Sequence, residues 1–399
     1  MATIQSGKNV SIAYKVETAF NVVPTDTTGG NRFRPNQSPG MSFKRQTIAP
    51  NEIRPDLKTS MARLGFGETS GSYAADASVG TFDPLLEAIT RGTWSAALVI
   101  TTTSMGGVVF GVNTITALSG SWLTQGIRVG DVVRLTGTAT AANNGRNLRV
   151  VGVTTLVITV AETLTTSGGG DVSGSMTRLK KVYQPTVPVR RSFTIEQYDG
   201  DIDQSEQYTG CRASSLKVTG QPNGMCLVDF GFVGASVNPL STAASPVFTT
   251  PVLSPSIGLV ISDATIRYAG ADIVTLTSFD FTLDNKASTT PIVGATVTPD
   301  VFDNAAMLSG TFSAMRMDLT NLTKFTSETE LELHLLLVEP MSEPKNCLSI
   351  FIPRLKLTGT TAPFGSDGAM IESLPWMAAD KGVVTGYDAT MIAFSTSAP

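Results

Sequence analysis

Between Leu276 and Asp284 the side chains change character at every step. Phe279, Phe281 and Leu283 point one way, and Ser278, Asp280, Thr282 and Asp284 point the other. A period of two is the signature of a strand with one buried and one wet side. Thr329 to Val338 repeats the pattern, with Leu331, Leu333, Leu335 and Leu337 opposing Glu330, Glu332 and His334. A chain written this way must build sheets and find something to cover their oily faces. Its composition agrees. The 37 glycines and 21 prolines call for many turns, and 41% hydrophobic residues suffice for real cores. Charged residues are only 16% and the net charge is −4, which excludes a disordered chain and a basic nucleic-acid binder.

Further strands are expected around Phe193–Glu196, Ser215–Thr219, Cys226–Val233, Leu308–Leu319 and Leu348–Leu357. One helix stands out. In Phe82-Asp83-Pro84-Leu85-Leu86-Glu87-Ala88-Ile89-Thr90-Arg91-Gly92, Asp83 occupies the expected N-cap, Pro84 the first turn and Gly92 the stop. Leu85, Leu86 and Ile89 form an apolar stripe that should pack on a sheet. From Ala97 to Thr177 the composition shifts to Val, Thr and Gly with few acids, and Leu148–Val153 with Leu156–Val160 reads as a tight hairpin. This predicts an inserted small all-β domain at 97–177, with 1–96 and 178–399 forming the main domain. The segment from Met1 to Pro55 reads as a long arm, idle in a monomer and able to reach a neighbour in an oligomer.

The chemistry-bearing residues are sparse. There is one histidine, His334, on a strand, read as structural or on the wet face. Three cysteines are an odd number and suit a reducing compartment. The turn Gln221-Pro222-Asn223-Gly224 would place Cys226 opposite residues near Thr219, leaving Cys211 several rungs away from it. Asp199-Gly200-Asp201-Ile202-Asp203 starts like a calcium loop, but Gln204 stands where glycine is required and Gly210 where a bidentate glutamate is needed. Phosphate-loop, dinucleotide and nucleophile-elbow motifs are missing. No catalytic, cofactor or metal residue is therefore expected. The N-terminus has no signal-peptide core and no run is long enough to span a bilayer, so the reading is a soluble, cytoplasmically made chain.

Several stretches together resemble the tail tube proteins of long-tailed bacteriophages of the siphophage type. Tyr14-Lys15-Val16-Glu17-Thr18-Ala19-Phe20 up to Pro24 is similar to the family's opening. Glu52-Ile53-Arg54-Pro55-Asp56, then Gly71-Ser72-Tyr73-Ala74-Ala75-Asp76, then the helix, follow its N-terminal order. Phe193-Thr194-Ile195-Glu196, Tyr208-Thr209-Gly210 and the hairpin Ser215 to Gly234 resemble its central sheet. Phe279 to Asn285, Leu335 to Pro340 and Leu348 to Leu357 resemble later strands. The resemblance implies a mainly β fold, a tail-tube sandwich or barrel core with one flanking helix and long loops. It implies a structural virion protein, not an enzyme. Hexameric rings would stack into a tube whose lumen conducts double-stranded DNA, assembled in the host cytoplasm. Expected partners are further copies of the chain and the tape measure, tail terminator and distal tail proteins, with no membrane and no cofactor.

On this reading Asp229, Asp280 and Asp284 face the lumen, since acidic walls repel phosphate over about 8 Å at physiological salt. The inserted domain would sit on the outer surface and crowd a sheath, which suits a non-contractile tail. The alternative is another virion β-protein, such as a fibre or a glycan-binding decoration. For the latter, Trp94 and Trp122 offer few aromatic platforms.

Overall fold

The longest strand, Gln204–Gly220, belongs to two sheets at once. The computed structural model describes residues 4–340, 344–365 and 368–398. Along its first half this strand lies between Phe193–Asp199 and Ser236–Leu240, and along its second half between Leu227–Gly234 and Leu276–Asp284. The bend falls where Gly210 takes a φ of 64° and the ladders slip register between Phe193 and Ile195 and between Ala213 and Ser215. A positive φ and an extra residue on one strand are how a strand turns from one layer into another.

The wide layer runs from Gly40–Ile48 through Arg63–Asp76, Leu227–Gly234, Gln204–Gly220, Leu276–Asp284 and Met307–Met315 to Ile371–Ala378 and the end of Asn346–Leu357. Every pairing is antiparallel. The opposing layer holds Val10–Val16 with Asn31–Phe33 and Phe193–Asp199, and Thr265–Tyr268 with Leu331–Glu339 and Asn346–Leu357. Ala393–Thr396 links Asn346–Leu357 to Lys180–Tyr183. Leu216, Val218, Phe230, Phe281, Leu283, Phe312 and Trp376 are buried between the layers in one continuous apolar core. Gly71 and Gly310 lie where neighbouring backbone comes close. A methyl at Gly71 would stand 2.2 Å from the Gly40 carbonyl oxygen, and one at Gly310 would stand 2.3 Å from that of Asp280.

The expected helix spans Asp83–Thr90, with Leu85 and Ile89 fully buried. Its cap differs from the sequence reading. Phe82 holds the N-cap position without a side-chain bond, and Asp83 is the first helical residue, where its carboxylate pairs with Lys180 at 2.8 Å. An acid in the first turn still favours the helix dipole. Arg91, not Gly92, takes the left-handed turn that ends it, at a φ of 55°. The strand expected to run on to Leu319 ends at Met315, and a second helix, Thr320–Thr326, follows it. The strands Ile371–Ala378 and Ala393–Thr396 were not foreseen either. The first 55 residues are not one arm, because Val10–Val16 is an interior strand. What projects is the hairpin Gly40–Ile48 with Arg63–Asp76, whose tip leaves Ile53, Leu57 and Met61 almost wholly exposed.

Residues 98–178 form their own seven-stranded sheet. Its order is Leu98–Thr101, Ser175–Arg178, Val132–Thr136, Leu148–Val153, Val157–Val160, Thr114–Ala117 and Val108–Phe110. A bridge from Val108 to Asp171 brings the last strand back beside the chain that enters Ser175–Arg178. Phe110, Ile115, Trp122 and Ile158 are buried in a separate apolar cluster. This sheet does not hang free. Val132 and Leu179 pack on Leu336 and Cys347, and Gly130 lies against the Phe351 ring so closely that a Cβ would stand 2.1 Å from it. Lys181 is buried between Asp131 at 2.8 Å and Asp388 at 2.7 Å. Arg149 joins Glu162 at 2.6 Å to Asp272 at 2.9 Å. Removing one partner of a buried ionic group leaves the other uncompensated, at about 3–5 kcal/mol. Lys181→Met, which strands two carboxylates, should lower the unfolding free energy by about that amount in a denaturant titration; a loss below about 1 kcal/mol would mean the cluster does not hold the two sheets together.

Candidate functional site

The outer face of the wide layer is the surface with the most unusual composition. Because side chains paired across a ladder share a face, its rows can be read from the register. One row is Ala74, Asp229, Lys217, Thr282, Ser309 and Met377. The next is Asp76, Leu227, Thr219, Asp280, Thr311 and Pro375. A third is Gly40, Ser72, Gly231, Ser215, Asp284 and Met307. The alternation in Leu276–Asp284 is therefore realised as read, with Phe279, Phe281 and Leu283 buried and Asp280, Thr282 and Asp284 half-buried on the open side.

The structure thus places Asp229, Asp280 and Asp284 on one continuous face. It also brings Lys217, exposed and directly opposite Asp229, into that face, which the sequence reading missed. The signal was present, since Lys217 sits between the core residues Leu216 and Val218. Asp280 and Asp284 do not form a close pair. Asp280 and Asp284 are four residues apart on one strand, about 13 Å. Paired catalytic carboxylates stand about 5–9.5 Å apart. Most of the other positions are small or hydroxyl-bearing, so the face is smooth, weakly charged and hydrated.

The other candidates resolve as structural groups. Asp201 accepts hydrogen bonds from the Ser6 amide at 2.7 Å and Asn9 Nδ2 at 2.6 Å, which hold its carboxyl below the usual range. Asp203 accepts from the Tyr198 hydroxyl at 2.8 Å. Among the described residues no group of three or more His, Cys, Asp or Glu side chains could hold a metal. Cys211, Cys226 and Cys347 are buried free thiols. Trp122 is buried with its indole donating to the Leu156 carbonyl at 3.0 Å, so it offers no exposed platform, and Trp94 donates to the Asp83 carbonyl at 3.0 Å. No helix among the described residues is long and apolar enough to cross a membrane.

His334 departs from the wet-face reading. It is 2% exposed, because the sheet of 98–178 covers the side of Leu331–Glu339 that alternation alone would leave open. Its Nε2 meets the Ser349 hydroxyl at 2.7 Å, and Nδ1 has no hydrogen-bond partner among the described residues. Burial, with Arg149 and Arg267 nearby, holds the imidazole down to about 3.

The decisive observation comes from comparison with known families. The family model for phage tail tube proteins matches residues 7–378. The chain belongs to that family. The match runs through 98–178 and ends at the last residue of Ile371–Ala378. No curated protein matches the chain. Membership makes this a structural protein of the virion tail, built to assemble into a tail tube with other tail proteins.

The depressed His334 has a thermodynamic consequence. Below its unfolded value of about 6.5 the unfolded chain takes up a proton that the folded chain refuses. Stability is therefore full above pH 6.5 and falls as pH drops towards 3. Between pH 7 and 4 the protein should lose about 2–3 kcal/mol more than His334→Gln does. Parallel stability–pH curves for the two proteins would exclude the imidazole as the titrating group.

Proposed function

We propose that this tail tube protein closes into hexameric rings, that the rings stack into a hollow tube, and that the lumen conducts double-stranded DNA. The observation that carries the reading is the open face bearing Asp229, Asp280 and Asp284. It is wide, continuous across the strands, lined by hydroxyls and mildly acidic, with Lys217 opposite Asp229 and Lys356 at the far end of the same row. DNA carries one negative charge per about 1.7 Å of its axis. A wall rich in lysine and arginine would hold it, whereas a hydrated wall with spaced carboxylates lets it slide. The three aspartates face the lumen on this reading.

The edges of the wide layer support self-association. Gly40–Ile48 pairs on one side with Arg63–Asp76, and among the described residues no strand pairs with its other side. An unpaired edge is a template for another chain, and closing a ring removes it. The projecting hairpin, with Ile53, Leu57 and Met61 exposed, suits contact with a neighbouring copy along the tube. Residues 98–178 would then be a domain inserted on the outside of the tube, where it would crowd a sheath and suit a non-contractile tail. The tape measure protein would fill the lumen before ejection, and terminator and distal tail proteins would close the two ends.

Purified protein should form hollow rings or tubes in negative-stain micrographs; only monomers, at any concentration, would end the proposal. Asp280→Lys combined with Asp284→Lys should leave assembly intact and slow DNA delivery by phage carrying the variant tube. Delivery at the normal rate would remove the electrostatic role of this face.

A further inference from the structure

The chain contains the same sheet motif twice, and the two copies agree residue by residue in register. In the first copy Asp199 pairs with Gln204, Ile195 with Tyr208 and, after a slip, Phe193 with Cys211. In the second Leu337 pairs with Leu348, Leu333 with Ile352 and, after the same slip, Leu331 with Leu355. Ala213 opposite Phe232 is matched by Leu357 opposite Trp376. Phe232 opposite Gly71 and Gly71 opposite Met41 are matched by Trp376 opposite Gly310 and Gly310 opposite Phe281. Tyr14 against Ile195 is matched by Tyr268 against Leu333. The helices Asp83–Thr90 and Thr320–Thr326 occupy the same place in the order. The equivalence extends to packing, since Gly71 and Gly310 are both pressed against the backbone of the preceding hairpin strand.

The two copies are joined by one junction. The second half of Gln204–Gly220 in the first copy pairs with Leu276–Asp284 of the second, so that Lys217 faces Thr282 and Leu216 faces Leu283. Among the described residues the corresponding edges at the two ends of the layer have no such mate. Beyond Leu357 the chain continues along Ile371–Ala378, with Thr361 opposite Ser373 as Lys217 is opposite Asp229, and its far side is open. At the other end Ser42 stands opposite Ser70 as Thr282 stands opposite Ser309, and its far side is open too. Leu283 is fully buried in the junction, while its counterpart Phe43 is 37% exposed.

We infer that the junction between chains repeats the junction within the chain. The segment from Gly359 to Ala362 of one chain adds to the free edge of Gly40–Ile48 of the next, with Thr361 opposite Ser42. Each chain then supplies two tube units, and a ring of six units contains three chains. The contact is head-to-tail, which is the kind that closes into a ring when the rotation allows. Paired edges bury Phe43 as Leu283 is buried. The inference rests on the self-assembly reading and replaces six chains per ring by three.

Ser42→Cys with Thr361→Cys tests it. Both positions are exposed in the single chain, on opposite edges of its sheet, so a disulfide between them must join two chains. Thr361 exchanges both of its backbone hydrogen bonds with Ser373, so its new partner forms a non-hydrogen-bonded pair, in which Cα atoms lie about 4.5 Å apart, within disulfide range. Oxidised tubes of the double variant should run on a denaturing gel as linked dimers and trimers with trimer as the largest species, and neither single variant should cross-link. Tubes of the double variant that give no linked species would overturn the proposed pairing. A ladder that continues to six chains would overturn the count. Wild-type protein that forms neither rings nor tubes would instead sink the self-assembly reading itself.

Discussion

The structure depends on hydrogen bonding along both edges of Gln204–Gly220. One strand of this length cannot lie flat in a twisted sheet, and its bend near Gly210 lets its first half serve one layer and its second half the other. Both layers are thereby fixed relative to each other without a linker. The helix Asp83–Thr90 packs on the same strand, with Leu85, Leu86 and Ile89 buried. The smooth outer face follows from the same constraint. Once Leu216 and Val218 are committed to the core, Ser215, Lys217 and Thr219 must point outwards, and the strands on either side are aligned to match.

The sheet of 98–178 is held by a different kind of interaction. Its contact with the main layers combines a small apolar cluster with Lys181, Asp131 and Asp388 buried together, and with Arg149 spanning Glu162 and Asp272. Burial pushes the Asp131 carboxyl up even with the Lys181 ammonium beside it. Buried charges of this kind add little to stability over an apolar contact, but they tolerate few alternative geometries. The arrangement fixes where the appended sheet sits rather than simply attaching it, as expected for a part that must not swing into a neighbouring subunit.

Local pattern was legible in the sequence, and whatever depends on distant chain was not. The alternation in Leu276–Asp284 predicted both its buried and its open face, because the partners of those side chains lie on adjacent strands of ordinary geometry. The same argument misplaced His334. Its strand has the right period, but the cover over it comes from Val132 and Leu179, far earlier in the chain. The helix was found and its cap misassigned by one residue, since Asp83 serves the first turn about as well as the cap. Lys217 was overlooked because a single lysine among Leu216, Val218 and Thr219 looks unremarkable until its neighbour across the ladder, Asp229, is known. The repeat was hidden for a related reason. Its copies share geometry but few identities beyond Tyr14 with Tyr268 and Gly71 with Gly310, and the 98–178 sheet interrupts only one of them.

That interruption has a consequence for the appearance of the assembled particle. In the proposed tube the wall facing the channel would be built from both halves of the chain, while the appended sheet belongs to the first half alone. The proposed ring of three such chains would present six similar stations inside and three ornaments outside. The exterior of such a tube would carry an angular reference that the bore lacks. A protein that gripped the outside of such a tube could sense the rotational phase of one ring against the next, and one that travelled through the bore could not.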